Sequence, residues 1–340
     1  ALEERLPLTP EEREGARRAE AQGLPLSITP HYLSLIDPGD PECPIRRQCV
    51  PRIEEDREVD GALRDPLGEE RHTVAPELIQ RYPDRALLLA TDRCAVYCRF
   101  CTRSRMVGDG GGARSLASLE PAFQYLEAHP EVRDVIVSGG DPLVTSTARV
   151  AALLERLSRI ESVRWVRMAT RAPVTIPQRI DDELVEALRR HRSLWLMTHY
   201  NHPRKLAAPE AQAACARLVD AGIPVMNQTV LLRGVNDDPE TLETLFTGLV
   251  EARVRPYYLM QMDPVRGTGH LRTPLARGVD LMAALQGRVS GLALPRLVVD
   301  TPGGRGKVPL GPDYVVGAAS GRTVLRTFRG ELVEYVDPPS

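Results

Sequence analysis

The chain of 340 residues is 42% hydrophobic and 26% charged, and its 44 Lys and Arg face 46 Asp and Glu for a formal charge of −2. That length holds one large α/β domain with an appendage, or two ordinary domains. The balanced charge excludes the basic field of a nucleic-acid binder and an acidic solvating tail, leaving small-molecule chemistry as the default.

No run approaches the roughly 18 apolar residues of a membrane span, and the charged opening Ala1-Leu2-Glu3-Glu4-Arg5-Leu6 has no signal-peptide core. Six cysteines, at 43, 49, 94, 98, 101 and 215, suit a reducing compartment better than a disulfide framework. The expectation is a soluble, cytoplasmic protein.

Residues 1–80 are rich in Pro, Glu and Arg and read as an N-terminal helical extension. They contain a helix over 9–22, opened by a Thr-Pro-Glu-Glu cap signal, and a turn at Asp37-Pro38-Gly39-Asp40-Pro41. Cys43 and Cys49 are six apart, a spacing that matches no common site. From residue 86 short apolar runs alternate with amphipathic segments of ten to fifteen residues, the pattern of repeated βα units on a parallel sheet. Six strands are expected, over 86–91, 134–138, 163–170, 194–199, 225–231 and 255–261, with helices near 119–128, 147–160, 181–191, 207–221, 238–252 and 277–289.

The chemically unusual residues fall at the ends of these strands. Cysteines follow the first, Ser138-Gly139-Gly140-Asp141 the second, Thr170-Arg171 ends the third, His199 and His202 follow the fourth, and Gln261 and Asp263 close the sixth. Sites gather at the carboxyl ends of parallel strands. With no seventh or eighth unit in view, residues 81–290 are expected to form a partial (βα)6 barrel, an α/β fold. Residues 291–340 follow with a short apolar run at 297–300, a glycine-rich turn and strands around 323–328 and 331–336. This C-terminal β segment is too short for a domain and is expected to pack across the open side of the barrel.

Cys94, Cys98 and Cys101 are separated by three and then two residues. Three thiolates so close can hold three irons of a 4Fe–4S cubane and leave the fourth iron open, where the usual ferredoxin run supplies four cysteines. Zinc is the rival, but it needs a fourth ligand and normally shows paired cysteine spacings. With only His72 or Cys49 to supply that ligand by chance, zinc is disfavoured. Arg93, Arg99, Arg103 and Arg105 surround the cysteines with positive charge of the kind that lowers thiol pKa. In Ser138-Gly139-Gly140-Asp141-Pro142 the glycines let backbone groups approach a ligand closely. The glycine-rich loop from Asp300 ends on Lys307, yet it lacks the spacing of a phosphate loop and is followed by Val308 rather than Ser or Thr. Such a lysine can form a Schiff base with pyridoxal 5′-phosphate; on chemistry alone that reading and an ordinary turn stand level.

The cysteine loop, with Phe100 before its last cysteine, resembles the CxxxCx(aromatic)C loop of the radical S-adenosylmethionine (SAM) superfamily. Joined to Ser138-Gly139-Gly140-Asp141, Thr198-His199-Tyr200-Asn201-His202-Pro203, Asn227-Gln228, Arg255-Pro256-Tyr257-Tyr258 and Pro302-Gly303-Gly304-Arg305-Gly306-Lys307, it resembles the lysine 2,3-aminomutase family from about residue 25 onward. The resemblance implies the radical SAM fold and an isomerase converting L-lysine to β-lysine. In that reaction a 5′-deoxyadenosyl radical takes the C3 hydrogen and the amino group migrates from C2 to C3.

The resemblance also implies a 4Fe–4S cluster on Cys94, Cys98 and Cys101, and SAM against Ser138, Gly139, Gly140, Asp141 and Gln228. Lys307 matches the lysine that holds pyridoxal phosphate, with Arg81, Tyr82 and Arg85 in the segment associated with its phosphate. Arg103 matches the arginine that holds the substrate carboxylate. Asp263 and Asp300 match two aspartates that receive the distal ammonium, at places where glutamate 2,3-aminomutases resembling this chain carry a lysine and an asparagine; the bare alternative is two turn residues near prolines. An electron donor such as flavodoxin or ferredoxin is implied, and a homo-oligomer is compatible with the resemblance. Clostridial-type members bind zinc between subunits through a cysteine whose place is taken here by Asp238, and no cysteine follows it, so neither that zinc nor the tetramer it supports is implied. The same reaction serving elongation factor P modification, and a 2,3-aminomutase for glutamate or arginine, are the nearest alternatives.

Overall fold

A run such as Leu87-Leu88-Leu89-Ala90 is too apolar for a strand with one wet face, and calls for a sheet covered on both sides. The computed structural model describes residues 2–21, 24, 26–108 and 112–338; Gln22, the expected end of the first helix, and Pro339 and Ser340 lie outside the described residues. One sheet carries ten strands in chain order: β1 (Thr73–Ala75), β2 (Leu78–Tyr82), β3 (Arg85–Thr91), β4 (Asp134–Gly139), β5 (Trp165–Ala169), β6 (Leu194–Thr198), β7 (Val225–Leu231), β8 (Arg255–Gln261), β9 (Arg296–Asp300) and β10 (Lys307–Pro309). Strands β3 to β9 are parallel, while β1 and β2 at one edge and β10 at the other pair antiparallel. The order places β1 and β10 at opposite edges, so the sheet is an open, partial barrel.

Parallel neighbours need a crossover, and a helix supplies each one. Helices Leu116–Ala128, Thr147–Ser158, Asp182–Arg189, Pro209–Asp220, Pro239–Glu251 and Leu275–Leu285 lie between successive strands. Each buries a stripe at spacings of three and four, as with Leu242, Leu245, Phe246 and Leu249. At about 1.5–3 kcal/mol for each fully buried large apolar side chain, these stripes fix the helices on the sheet. Four of the six starts are capped, by Ser115, Ser146, Asp181 and Asp238, whose side chains accept a first-turn N–H. Asp238, standing where zinc-binding relatives were expected to carry cysteine, thus has a local role as a cap.

All six expected strands are present, as β3 to β8, and a seventh parallel strand, β9, lies beside β8. Six βα units are present as expected, and β9 adds a strand with no helix between it and β10. Helix Leu275–Leu285 returns the chain for one more crossover, and Leu297 and Val298 are buried on the sheet. Residues 73–80, read as the end of a helical extension, form with Arg81 and Tyr82 the antiparallel ribbon β1–β2, with Leu78 and Ile79 buried. The C-terminal tail forms a separate three-stranded sheet of β11 (Val315–Ala319), β12 (Arg322–Arg326) and β13 (Leu332–Val336). It does not cover the open side, because every residue of β11 and β13 is exposed.

The gap between the sheet edges is filled instead by residues 63–72. The Leu63 N–H donates to the Pro264 carbonyl at 2.7 Å and the Gly303 N–H to the Pro66 carbonyl at 2.8 Å. A Cβ on Gly304, whose φ is 70°, would lie 2.2 Å from the Leu67 carbonyl oxygen, so only glycine fits this junction. Among the described residues no helix is long and apolar enough to cross a membrane.

Candidate active site

The carboxyl ends of the parallel strands open into a cavity of about 530 Å³. Every residue singled out from the sequence as a site candidate lines it. They form two groups, cysteines at one end and charged side chains around Lys307 at the other.

Cys94, Cys98 and Cys101 are free thiols on the loop after β3. The loop after β4 buttresses them. The Gly140 N–H donates to the Thr91 carbonyl at 2.6 Å, and the Asp141 N–H to the Arg93 carbonyl at 2.7 Å. A Cβ on Gly139 would sit 2.3 Å from the Thr91 oxygen, and one on Gly140 would sit 2.3 Å from the Arg93 oxygen. The space these glycines leave is therefore filled by the neighbouring loop's backbone, a tighter demand than the ligand approach expected from the sequence. Asp141 is buried and accepts from Thr170 Oγ1 at 2.6 Å, the Arg171 N–H at 2.7 Å and the Leu143 N–H at 3.0 Å, although burial still pushes its carboxyl up. It ties the second loop to the third.

The expected lowering of thiol pKa by flanking arginines is overturned. Arg99 is paired with Glu55, Arg103 with Glu69, and Arg105 with Asp65 and Glu69, so those charges are already answered. Burial, then Asp141, pushes the Cys94 thiol up; burial, then Cys98, pushes Cys101 up to about 11. Such thiols keep their protons until a metal displaces them. Among the described residues no three His, Cys, Asp or Glu side chains converge as one ion requires; a cubane instead takes one thiolate on each of three irons. His72 and Cys49 are engaged elsewhere, His72 Nδ1 with the Gly68 carbonyl at 2.7 Å and Cys49 Sγ with the Ile45 and Arg46 carbonyls at 3.6 Å.

At the other end Asp300 stands between two cations. Its Oδ1 accepts from Arg81 Nη2 at 2.8 Å and its Oδ2 from Lys307 Nζ. Tyr82 adds a second hold on Lys307, its hydroxyl oxygen accepting the Lys307 N–H at 2.8 Å, while the Arg85 and Arg81 guanidiniums lie 4.2 Å and 5.0 Å from the Tyr82 ring centre. Asp263 accepts from Thr102 Oγ1 at 2.9 Å. Burial, then the neighbouring Asp300, pushes its carboxyl up to about 6. The Tyr257 hydroxyl donates to that of Tyr258 at 3.0 Å on the same wall. A primary amine beside two guanidiniums suits a phosphorylated aldehyde such as pyridoxal phosphate.

Two features had no sequence signal strong enough to assign them. Glu69 is 4% exposed, and its Oε1 accepts from both Arg103 Nε (2.8 Å) and Nη2 (2.7 Å) while its Oε2 accepts from Arg105 Nη2 at 3.0 Å. Arg171, noticed only as a strand-end residue, turns Nη1 onto Cys98 Sγ. His199 lies edge-on to Phe100 at 5.7 Å, whereas His202 caps a short helix by accepting the Arg204 N–H at 3.2 Å.

A family model described as "Radical SAM superfamily" matches residues 88–245, and one described as "Lysine-2,3-aminomutase" matches residues 282–340. The chain is 44% identical to L-lysine 2,3-aminomutase of Fusobacterium nucleatum, over 99% of this chain and 79% of that protein. It is 43% identical to L-lysine 2,3-aminomutase of Bacillus subtilis, over 97% of this chain and 70% of that one. Glutamate 2,3-aminomutase of Clostridioides difficile is 38% identical, over 98% and 78%.

Proposed function

The chain belongs to the lysine 2,3-aminomutase family of the radical SAM superfamily, an isomerase using a 4Fe–4S cluster and SAM, and from that premise we propose that it converts L-lysine to β-lysine with pyridoxal phosphate on Lys307. The observation that carries the substrate is the pairing of Asp263 with Asp300 in the cavity that also holds Arg103. An arginine and two acids match a substrate with a carboxylate at one end and an ammonium at the other. A glutamate side chain would instead bring a third carboxylate beside two others.

When bound, the cluster and SAM supply a carbon radical that abstracts hydrogen, and pyridoxal phosphate supplies a π system on the migrating nitrogen. The chain's own residues place the substrate. Arg103, steadied by Glu69, offers its remaining N–H groups to the α-carboxylate. Asp300, balanced by Arg81 and Lys307, keeps its charge compensated when the substrate ammonium takes the place Lys307 leaves. Asp263, with its carboxyl near 6, ionises more readily once a cation lies beside it. Cys94, Cys98 and Cys101 would hold the cluster, and Ser138, Gly139, Gly140, Asp141 and Gln228, which line the same cavity, would face SAM.

The test is anaerobic turnover after loading iron, sulfide and pyridoxal phosphate, with SAM, dithionite and L-lysine, and with L-glutamate and L-arginine in parallel. β-Lysine that disappears in Lys307→Ala and Asp263→Ala supports the assignment. SAM cleavage without β-lysine removes the substrate and directs the search to the other two amino acids and to protein-bound lysine.

A further inference from the structure

Two basic side chains lie behind the cysteine loop, and among the described residues neither has an ion-paired acid; burial, then Arg171, pushes the Lys205 amine well down, so its charge depends on a negative group facing it. Arg171 Nη1 donates to Cys98 Sγ and Nη2 to the Tyr32 hydroxyl at 3.5 Å. Lys205 is fully buried, and its Nζ donates only to Gln48 Oε1, a neutral amide. Both reach the Tyr32 ring, at 5.8 Å for Arg171 and 5.1 Å for Lys205. Among the described residues no carboxylate forms an ion pair with either; Asp141 accepts the Arg171 backbone N–H at 2.7 Å and feels the guanidinium charge only from a distance. A buried cation without a counter-ion is costly unless some other negative group faces it. Here the atom that faces Arg171 is Cys98 Sγ, which becomes negative only as a ligand of the cluster.

We infer that Arg171, backed by Lys205, is the built-in counter-charge of the cluster held by this loop and sets its reduction potential. The inference rests on the reading of Cys94, Cys98 and Cys101 as cluster ligands. A low-potential one-electron donor, such as a reduced flavodoxin or ferredoxin, would give the cluster one electron and itself be oxidised, taking the core from 2+ to 1+ with no bond made or broken and no proton required. The three-thiolate site therefore gains one negative charge. Charge, hydrogen bonds to the sulfurs and burial are the levers that set such potentials. A guanidinium donating to a ligand sulfur favours the reduced, more negative state and raises the potential; removing it lowers the potential. Arg171 is thus a positioning residue for electron entry.

The experiment is a potentiometric titration of the reconstituted protein without SAM, following the reduced-cluster signal by electron paramagnetic resonance. Iron and sulfide are counted first, and wild-type protein lacking one cubane cluster per chain overturns the reading of the loop itself. With the cluster present, the inference expects a midpoint lowered in Arg171→Gln, less lowered in Arg171→Lys, and lowered in Lys205→Met. If Arg171→Gln fails to hold the cluster, Arg171→Lys and Lys205→Met carry the comparison. Midpoints equal to wild type overturn the inference. So does a set of unchanged midpoints with weakened SAM binding, which would make Arg171 a ligand contact instead.

Discussion

Glu69→Ala tests how Arg103 is held. One carboxylate secures two guanidiniums, accepting from Arg103 at 2.7 and 2.8 Å and from Arg105 at 3.0 Å. Breaking a buried ion pair from one side costs about 3–5 kcal/mol. The cost here is smaller, because the Arg103 side chain keeps 21% exposure and Arg105 keeps Asp65 at 3.1 Å. About 2–3 kcal/mol of stability should be lost, a fall in melting temperature of about 3–4 °C for a chain of this size. The kinetic effect is separate. A guanidinium that no longer presents its fork loses a charged hydrogen bond of about 1.5–3 kcal/mol to the substrate carboxylate, so KM for L-lysine should rise about 10–100-fold with kcat less affected. Thermal unfolding and steady-state kinetics of the loaded enzyme read the two effects, with Glu69→Gln as a milder control. A lower melting temperature with an unchanged KM would refute the reasoning and leave Glu69 a purely structural residue.

Asp263→Asn should stabilise the protein in a pH-dependent way. The folded carboxyl is raised to about 6, so wild type loses stability as pH climbs from about 4 through 6. The variant's advantage should grow over that window and level off near about 2 kcal/mol above it, allowing for residual solvent around the carboxylate. Denaturant midpoints at several pH values check this, and a pH-independent difference sinks it. Gly140→Ala should abolish most iron incorporation, since its Cβ would lie 2.3 Å from the Arg93 carbonyl at a φ that does not itself demand glycine; iron counted per chain decides. Asp238→Ala should cost about 1 kcal/mol by uncapping its helix, with the metal content of the purified protein unchanged.

Much of the architecture was legible because parallel strands buried on both faces must be apolar, and helices crossing them must show a stripe. β9 was missed because a five-residue run ahead of a glycine-rich loop carries no following helix, and the helix before it was the better signal. β1 and β2 were missed because short antiparallel edge strands leave little periodicity in a segment full of proline and charge. In the site, cysteine spacing alone put three thiols on one loop, whereas the lysine at the end of its loop stood level with an ordinary turn until the family resemblance gave it a role. Glu69 and the Cys98–Arg171 contact could not be read, because each depends on residues far apart in the chain meeting at one point. The thiol shifts went the opposite way for a related reason: arginines near in sequence were answered by acids distant in sequence.

The two ends of the cavity also differ in when they can exist. Cys98 meets Arg171 across 73 positions, so that contact needs only about the first half of the chain. Arg81 meets Asp300 across 219 positions and Tyr82 meets Lys307 across 225, so the lysine end closes only when synthesis has passed β10. The lysine end is therefore an all-or-nothing test of a chain that reaches β10, absent from any product that terminates before it.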